Sequence, residues 1–189
     1  MSTSSHAATS RHASRREFLA RSGALVGATA VAGLSLARSA HAAGSETFKV
    51  GLIGCGGRGS GAAANAMNAG KDIKLVAMGD IFEDKLKASR TNLKKVKPDQ
   101  VAVDDDHCFV GFDAYQKVID SGVDVVIIAC TSHFHPRYLK AAVDAGKHVF
   151  CEKIHAVDAP GVQMVLEAGE VARQKGLSIV SGLAWRYHP

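Results

Sequence analysis

An apolar run, Phe48 to Ile53, passes without a break into Gly54-Cys55-Gly56-Gly57-Arg58-Gly59 and then into the Ala-rich segment Ser60 to Ala69. Strand, glycine turn and helix in that order leave few folds open. Glycines at G-x-G-x-x-G spacing are needed where a chain turns sharply off a strand, brings its backbone close to a ligand and lays a helix tightly against that strand. Gly54 allows the turn, Gly56 lets the backbone approach a pyrophosphate, and Gly59 permits the close packing, with Gly57 and Arg58 completing the loop. The phosphates are then expected at the positive end of the helix. Six residues alone are a weak pattern; the weight comes from Asp80, which closes a second apolar run (Ile73 to Met78) 21 residues after Gly59. An acid there accepts hydrogen bonds from both hydroxyls of an adenine ribose and repels a 2′-phosphate. No Arg follows it immediately, so NAD is favoured over NADP.

The rest of the chain keeps the same rhythm. Glu83 to Lys95 reads as a charged helix, Lys97 to Asp106 as a loop with Pro98 and three consecutive Asp, and Ala114 to Asp120 as a short helix. Val123 to Ala129 is β-branched and nearly continuous, as expected of a central strand covered on both faces. Pro136 to Ala145 is the next helix, with Pro in its first turn and Gly146 just past its end. His148 to Cys151 reads as a strand, Gly161 to Lys175 as a helix stopped by Gly176, and Ser178 to Gly182 as a last strand. Strands alternating with helices predict an α/β fold, a Rossmann-type doubly wound parallel sheet.

Charge excludes one class of partner once it is divided along the chain. Residues 1–42 hold five of the 23 basic and one of the 18 acidic residues, so residues 43–189 carry 18 bases against 17 acids. The domain therefore offers no electrostatic footprint for nucleic acid or an anionic membrane. The basic excess belongs to a leader: Ser14-Arg15-Arg16-Glu17-Phe18-Leu19, an uncharged stretch from Ser22 to Ala37, then Ala40-His41-Ala42. A basic region, a mild apolar region and an A-x-A cleavage site in that order form an export signal. The paired Arg resembles the twin-arginine signal, whose machinery carries folded proteins. The apolar stretch is too short and too rich in Ala and Gly for a stable spanning helix, with an uncleaved anchor as the alternative. The expected organisation is a signal over 1–42, a short linker over 43–47 and a nucleotide-binding domain over 48–189, working in the periplasm with no membrane attachment after cleavage. Cys55, Cys108, Cys130 and Cys151 show no C-x-x-C pair, and a chain that folds before export buries its thiols, so they are expected to be small buried hydrophobes.

Two further segments set polar residues outside the carboxyl ends of parallel strands, where ligands bind in open α/β sheets. Cys130-Thr131-Ser132-His133-Phe134-His135-Pro136 follows the central strand, and Gly146-Lys147-His148-Val149-Phe150-Cys151-Glu152-Lys153 makes the next strand and its end. His133 and His135 are spaced like a ligand pair, but no carboxylate or Cys stands at a suitable third position, so no metal site is expected. Together with the glycine loop, these segments resemble the family of glucose-fructose oxidoreductase, inositol dehydrogenase and the rhizopine-catabolism protein MocA, over roughly Phe48 to Pro189. The resemblance implies that Lys153, matching the Lys of a Glu-Lys-Pro motif, lies beside the nicotinamide and the substrate hydroxyl as catalytic acid/base, with Glu152 next to it. It also implies that Thr131 and His135, matching a Thr-x-x-x-His turn, line the nicotinamide end of the cofactor. Ile154-His155 stands where Pro and its neighbour are expected, which relaxes the backbone after Lys153. Trp185, Arg186 and Tyr187 follow the last strand and suit packing as well as substrate contact.

Members of that family continue into an α+β domain that supplies much of the substrate pocket, a second catalytic residue and the oligomer contacts. The chain is expected to be a truncated or split member that lacks this C-terminal domain, with any homo-oligomer depending on it. Two readings follow from the resemblance. One is an NAD(P)-dependent oxidoreductase acting on a sugar or cyclitol hydroxyl, with an NAD-using glycosidase that oxidises, eliminates and re-reduces its sugar as a sub-case. The other is a non-catalytic nucleotide-binding fragment, or one half of a split enzyme. Export into a compartment without free NAD would require the cofactor to travel inside the protein and be regenerated in place, which favours a redox-neutral overall reaction.

Overall fold

A computed structural model describes residues 47–183 and Arg186. The segment read as an export leader, with Arg15, Arg16 and Ala40-His41-Ala42, lies outside the described residues, as do Trp185 and Tyr187. The apolar runs become β1 (Phe48–Ile53), β2 (Ile73–Asp80), β3 (Cys108–Val110), β4 (Val125–Ile128), β5 (His148–Glu152) and β6 (Ile179–Gly182). The segments between them become α1 (Gly57–Asn68), α2 (Glu83–Val96), α3 (Ala114–Asp120), α4 (His135–Asp144) and α5 (Ala159–Gln174). Among the described residues every named strand pairing is parallel and the order is β3-β2-β1-β4-β5-β6. The chain winds outward from β1 to β3, crosses back, and winds out the other way from β4. The direction reverses between β1 and β4, and an open α/β sheet forms its ligand crevice at such a reversal.

Alternating strand residues feed two cores. On one face Ile53, Val126 and Ile128 pack with Val118, Leu139, Val143 and Ala172 from α3, α4 and α5. On the other, Leu52, Leu75, Met78 and Ile127 pack with Met67, Leu86 and Leu93 from α1 and α2. Val126, Ile127 and Ile128 are all essentially buried, as their uninterrupted β-branched run predicts for a strand covered on both sides. Pro sits in the first turn of α4, and Gly146 and Gly176, just beyond α4 and α5, take φ of +74° and +67°. That left-handed conformation ends a helix at no steric cost when the residue is Gly.

Three departures from the sequence pattern have simple causes. β3 has only three residues, none of them fully buried, which is too short to leave a periodicity. It exists because Asp80 and its neighbours offer it a partner, in the register Met78↔Cys108, Gly79↔Phe109 and Asp80↔Val110. Val101, within the segment read as loop, bridges Leu75 for the same reason. α1 begins at Gly57, three residues before the Ala-rich stretch, because the glycine loop itself enters the helix.

Candidate functional site

The glycine loop is built as its spacing demands, and each glycine answers to a different neighbour. Gly54 has φ +93°, and a Cβ on it would lie 2.4 Å from the Cys130 amide nitrogen. A Cβ on Gly59 would meet the Gly54 carbonyl oxygen at 1.9 Å, so only glycine lets α1 come this close to β1. Gly56 is the opposite case, with nothing within 4 Å of the position a Cβ would take. It is also the N-cap of α1, where no side chain caps the helix and no acid stands in the first turn. Helical bonding starts with the Ser60 amide donating to the Gly56 carbonyl at 2.9 Å, so the amides ahead of it are not used by the helix. Open space beside free amides at a positive helix end suits an anion.

Asp80 stands at the end of β2, facing this loop. Its Oδ2 accepts from the Cys55 amide at 2.6 Å and its Oδ1 from the Phe82 amide at 2.9 Å. One backbone donor per oxygen fixes the carboxylate while leaving each oxygen able to accept another bond. Gly54, Gly56, Asp80 and Thr131 line one cleft of about 290 Å³ at the carboxyl ends of β1, β2 and β4, the crevice that the strand order predicts.

The cleft has an aromatic wall that sequence reasoning missed. Phe134 stacks on Tyr138 at 5.6 Å between ring centroids, Tyr138 stacks on Tyr115 at 4.1 Å, and the Arg137 guanidinium lies 5.3 Å over the Tyr115 ring. Burial raises the Tyr138 phenol above its ordinary range. Tyr115 and Tyr138 belong to different helices, so no spacing announces them. Phe82 and Lys85 also line the cleft, and their places just after Asp80 were the one available signal. Burial pushes the thiol of Cys130, another lining residue, up to about 12, so it stays protonated and unreactive at neutral pH.

The remaining site residues gather at the end of β5, beyond that wall. Lys153 is exposed there, and its amide donates to Glu152 Oε2 at 3.3 Å. The Lys153–Ile154 peptide is cis. Glu152 is 4% exposed, and its Oε1 accepts from Arg58 Nε at 2.7 Å and lies 2.5 Å from an Arg58 Nη. His135 is buried at the start of α4, with Nδ1 2.8 Å from the Ile154 carbonyl and Nε2 3.0 Å from the Cys130 carbonyl. Each ring nitrogen lies against a backbone carbonyl, one of them from the β4 end and one from the β5 end, so the ring is set between the two strand ends. His155, beside it, has its pKa lowered first by burial and then by His135. The structure thus brings Gly54, Gly56, Asp80 and Thr131 to the cleft, with Gly57 and Gly59 in the helix start behind it. Arg58, Glu152, Lys153 and His135 form a second group at the β5 end, outside the lining of the cleft. Cys55 and Cys151 are buried, whereas Cys108 and Cys130 are partly exposed, and all four are free thiols. Among the described residues no group of three potential metal ligands occurs, and no helix is long and apolar enough to cross a membrane.

Comparison with known proteins agrees with this geometry. Residues 48–182 match the family model GFO_IDH_MocA, described as an oxidoreductase family with an NAD-binding Rossmann fold. The chain is 27% identical over 143 residues to inositol 2-dehydrogenase of Paracoccus denitrificans, covering 76% of this chain and 39% of that protein. It is 33% identical over 122 residues to inositol 2-dehydrogenase of Salmonella paratyphi B, covering 65% and 33%. Among solved structures, scyllo-inositol dehydrogenase of Lactobacillus casei, crystallised with NAD(H) and scyllo-inositol, superposes with a TM-score of 0.60 at 25% identity, covering 76% of this chain and 38% of that one. The chain thus spans between a third and two fifths of the length of these relatives.

Proposed function

This chain belongs to the Gfo/Idh/MocA oxidoreductase family and carries its NAD-binding Rossmann domain, and on that basis we propose that it is the cofactor-binding domain of an oxidoreductase acting on a cyclitol or sugar hydroxyl. The observation that carries the reading is the cradle itself: empty space at Gly56, uncapped amides at the start of α1, and Asp80 anchored by two backbone donors on the far side. A pyrophosphate fits the first two features and a ribose diol the third. Bound there, NAD would supply the hydride acceptor. Gly56 and the α1 amides would hold the phosphates, Asp80 would accept from the ribose hydroxyls, and Thr131 would line the nicotinamide side of the cleft. Lys153, as the neutral amine, would take the proton from the substrate hydroxyl at Nζ, as a general base at the strand ends. His135 and Glu152 orient it through the backbone that flanks it. Inositol dehydrogenases among the relatives support a cyclitol as the substrate class.

Calorimetric titration with NAD and NADP tests the cradle. Gly56→Val is expected to abolish NAD binding, since a side chain there fills the space meant for phosphate. Asp80→Ala is expected to weaken NAD about tenfold, as loss of a charged hydrogen bond does, and to erase the discrimination against NADP. Unchanged NAD affinity in Gly56→Val would sink the assignment. Incubation of the protein with NAD and a panel of inositols and aldoses, followed by NADH absorbance, tests the substrate class. Reduction by an aliphatic alcohol alone would refute it.

A further inference from the structure

Arg58 occupies a place in the glycine loop where an arginine invites the reading of a direct phosphate ligand, yet its guanidinium is turned the other way. From the first turn of α1 it reaches past the ends of β1 and β4 to the end of β5, where Nε lies 2.7 Å and an Nη 2.5 Å from the same oxygen of Glu152. The partners are unequal: the Glu152 side chain is 5% exposed, that of Arg58 48%. Room for the carboxylate is made by Gly182 on β6, where a Cβ would stand 2.5 Å from Glu152 Oε1. Among the described residues its other oxygen meets only the Lys153 amide, at 3.3 Å, and the Arg58 guanidinium is the cation in salt-bridge contact with it. A buried carboxylate of this kind is tolerable only while it is paired. Here it lies within ion-pair distance of a residue of the very loop that must receive an anion.

We propose that Arg58 is a positioning residue that neutralises Glu152, so that the glycine loop accepts the pyrophosphate without repulsion from the buried carboxylate. The inference rests on the reading of the Gly56–Asp80 cleft as the NAD site. Arg58 then acts on the cofactor through Glu152, and its guanidinium need not touch a phosphate. Because the Lys153 amide hangs on the same carboxylate, the pair also joins the phosphate loop to the segment that carries the proposed base.

A double-variant cycle separates this role from direct phosphate contact. In calorimetric titrations of the full chain, Arg58→Gln is expected to weaken NAD about tenfold, because it leaves an anion beside the loop. Glu152→Gln alone should bind NAD at least as tightly as the parent, since the arginine is then free. The double variant Arg58→Gln/Glu152→Gln should return to within about threefold of the parent, the interaction between neighbouring sites being non-additive. A double variant as weak as Arg58→Gln would mean that Arg58 binds phosphate itself, and an unaffected Arg58→Gln would remove its role altogether; either result overturns the proposal. Thermal melting of the same variants gives a readout without cofactor. Arg58→Gln should lower the melting temperature and the added Glu152→Gln should restore it, whereas two losses that simply add would overturn the pairing. A parent chain that melts in this expected pattern but binds no NAD would instead bring down the reading of the cleft.

Discussion

Gly54, Gly56 and Gly59 serve one motif for three separate physical reasons, and substitution should tell them apart. Gly54 and Gly59 are required by the protein. The first needs a positive φ, and the second needs the absence of a Cβ that would overlap a backbone carbonyl, a contact that no flexible side chain can relieve. Gly59→Ala is therefore expected to destabilise the fold by about 2 kcal/mol or more and Gly54→Ala by about 1–3 kcal/mol, both seen as lower melting temperatures. Gly56 meets nothing within 4 Å of the place a Cβ would take and, on the proposed reading of the cleft, is required only by the ligand, so Gly56→Val should melt close to the parent while failing to bind NAD. A large loss of stability in Gly56→Val would show that the open space beside it is filled in solution.

The helices make the same distinction between an end kept for the fold and an end kept for a ligand. α5 starts at a conventional cap, where Asp158 accepts from the Gly161 amide at 2.7 Å. α1 starts at Gly56 with no side-chain partner. Asp158→Ala should therefore cost about 1 kcal/mol in urea unfolding, as loss of an N-cap usually does, and leave NAD affinity unchanged. α2, α3 and α4 also start without a side-chain cap, so what sets α1 apart is the open space beside Gly56, where an anion could satisfy its amides. Strand β3 shows a complementary dependence, since three residues form a strand only because β2 is already in place beside them.

The chain has a pH dependence set by its thiols. Burial raises the pKa of Cys55, Cys130 and Cys151, the last two to about 12. A raised thiol pKa means that the folded state holds protons which the unfolded state releases above about pH 8.5. Stability from these groups is therefore complete below that pH and declines as pH rises toward 12. The slope is about 1.4 kcal/mol per pH unit for each thiol involved, and guanidinium melts at pH 7, 9 and 10 would measure it. Equal stability at pH 7 and pH 10 would contradict the burial of Cys55 and Cys151. We propose export as a further property of the whole chain. Arg15→Lys with Arg16→Lys is expected to leave the precursor in the cytoplasm, because recognition of the pair is not a matter of charge alone. An unchanged periplasmic amount on fractionation would refute the twin-arginine reading. An NAD that emerges on denaturing protein purified from the periplasm would support a carried cofactor, and protein that emerges empty would refute it.

The parallel α/β fold and the position of the cradle were legible in the residues, because both depend on local rules. Strand periodicity places Val126, Ile127 and Ile128 in two cores, and turn sterics assign Gly54 and Gly59. An acid at the end of β2 can face only the loop at the end of β1. The aromatic wall of Tyr115, Phe134 and Tyr138, the short strand β3, and the fates of Arg58, Glu152 and His135 were not legible. Nothing local distinguishes a loop arginine aimed at phosphate from one aimed at a carboxylate 94 residues away, or a ligand histidine from one clasped between two carbonyls. These outcomes depend on which strand ends become neighbours, and that is decided by the order in which the sheet is wound.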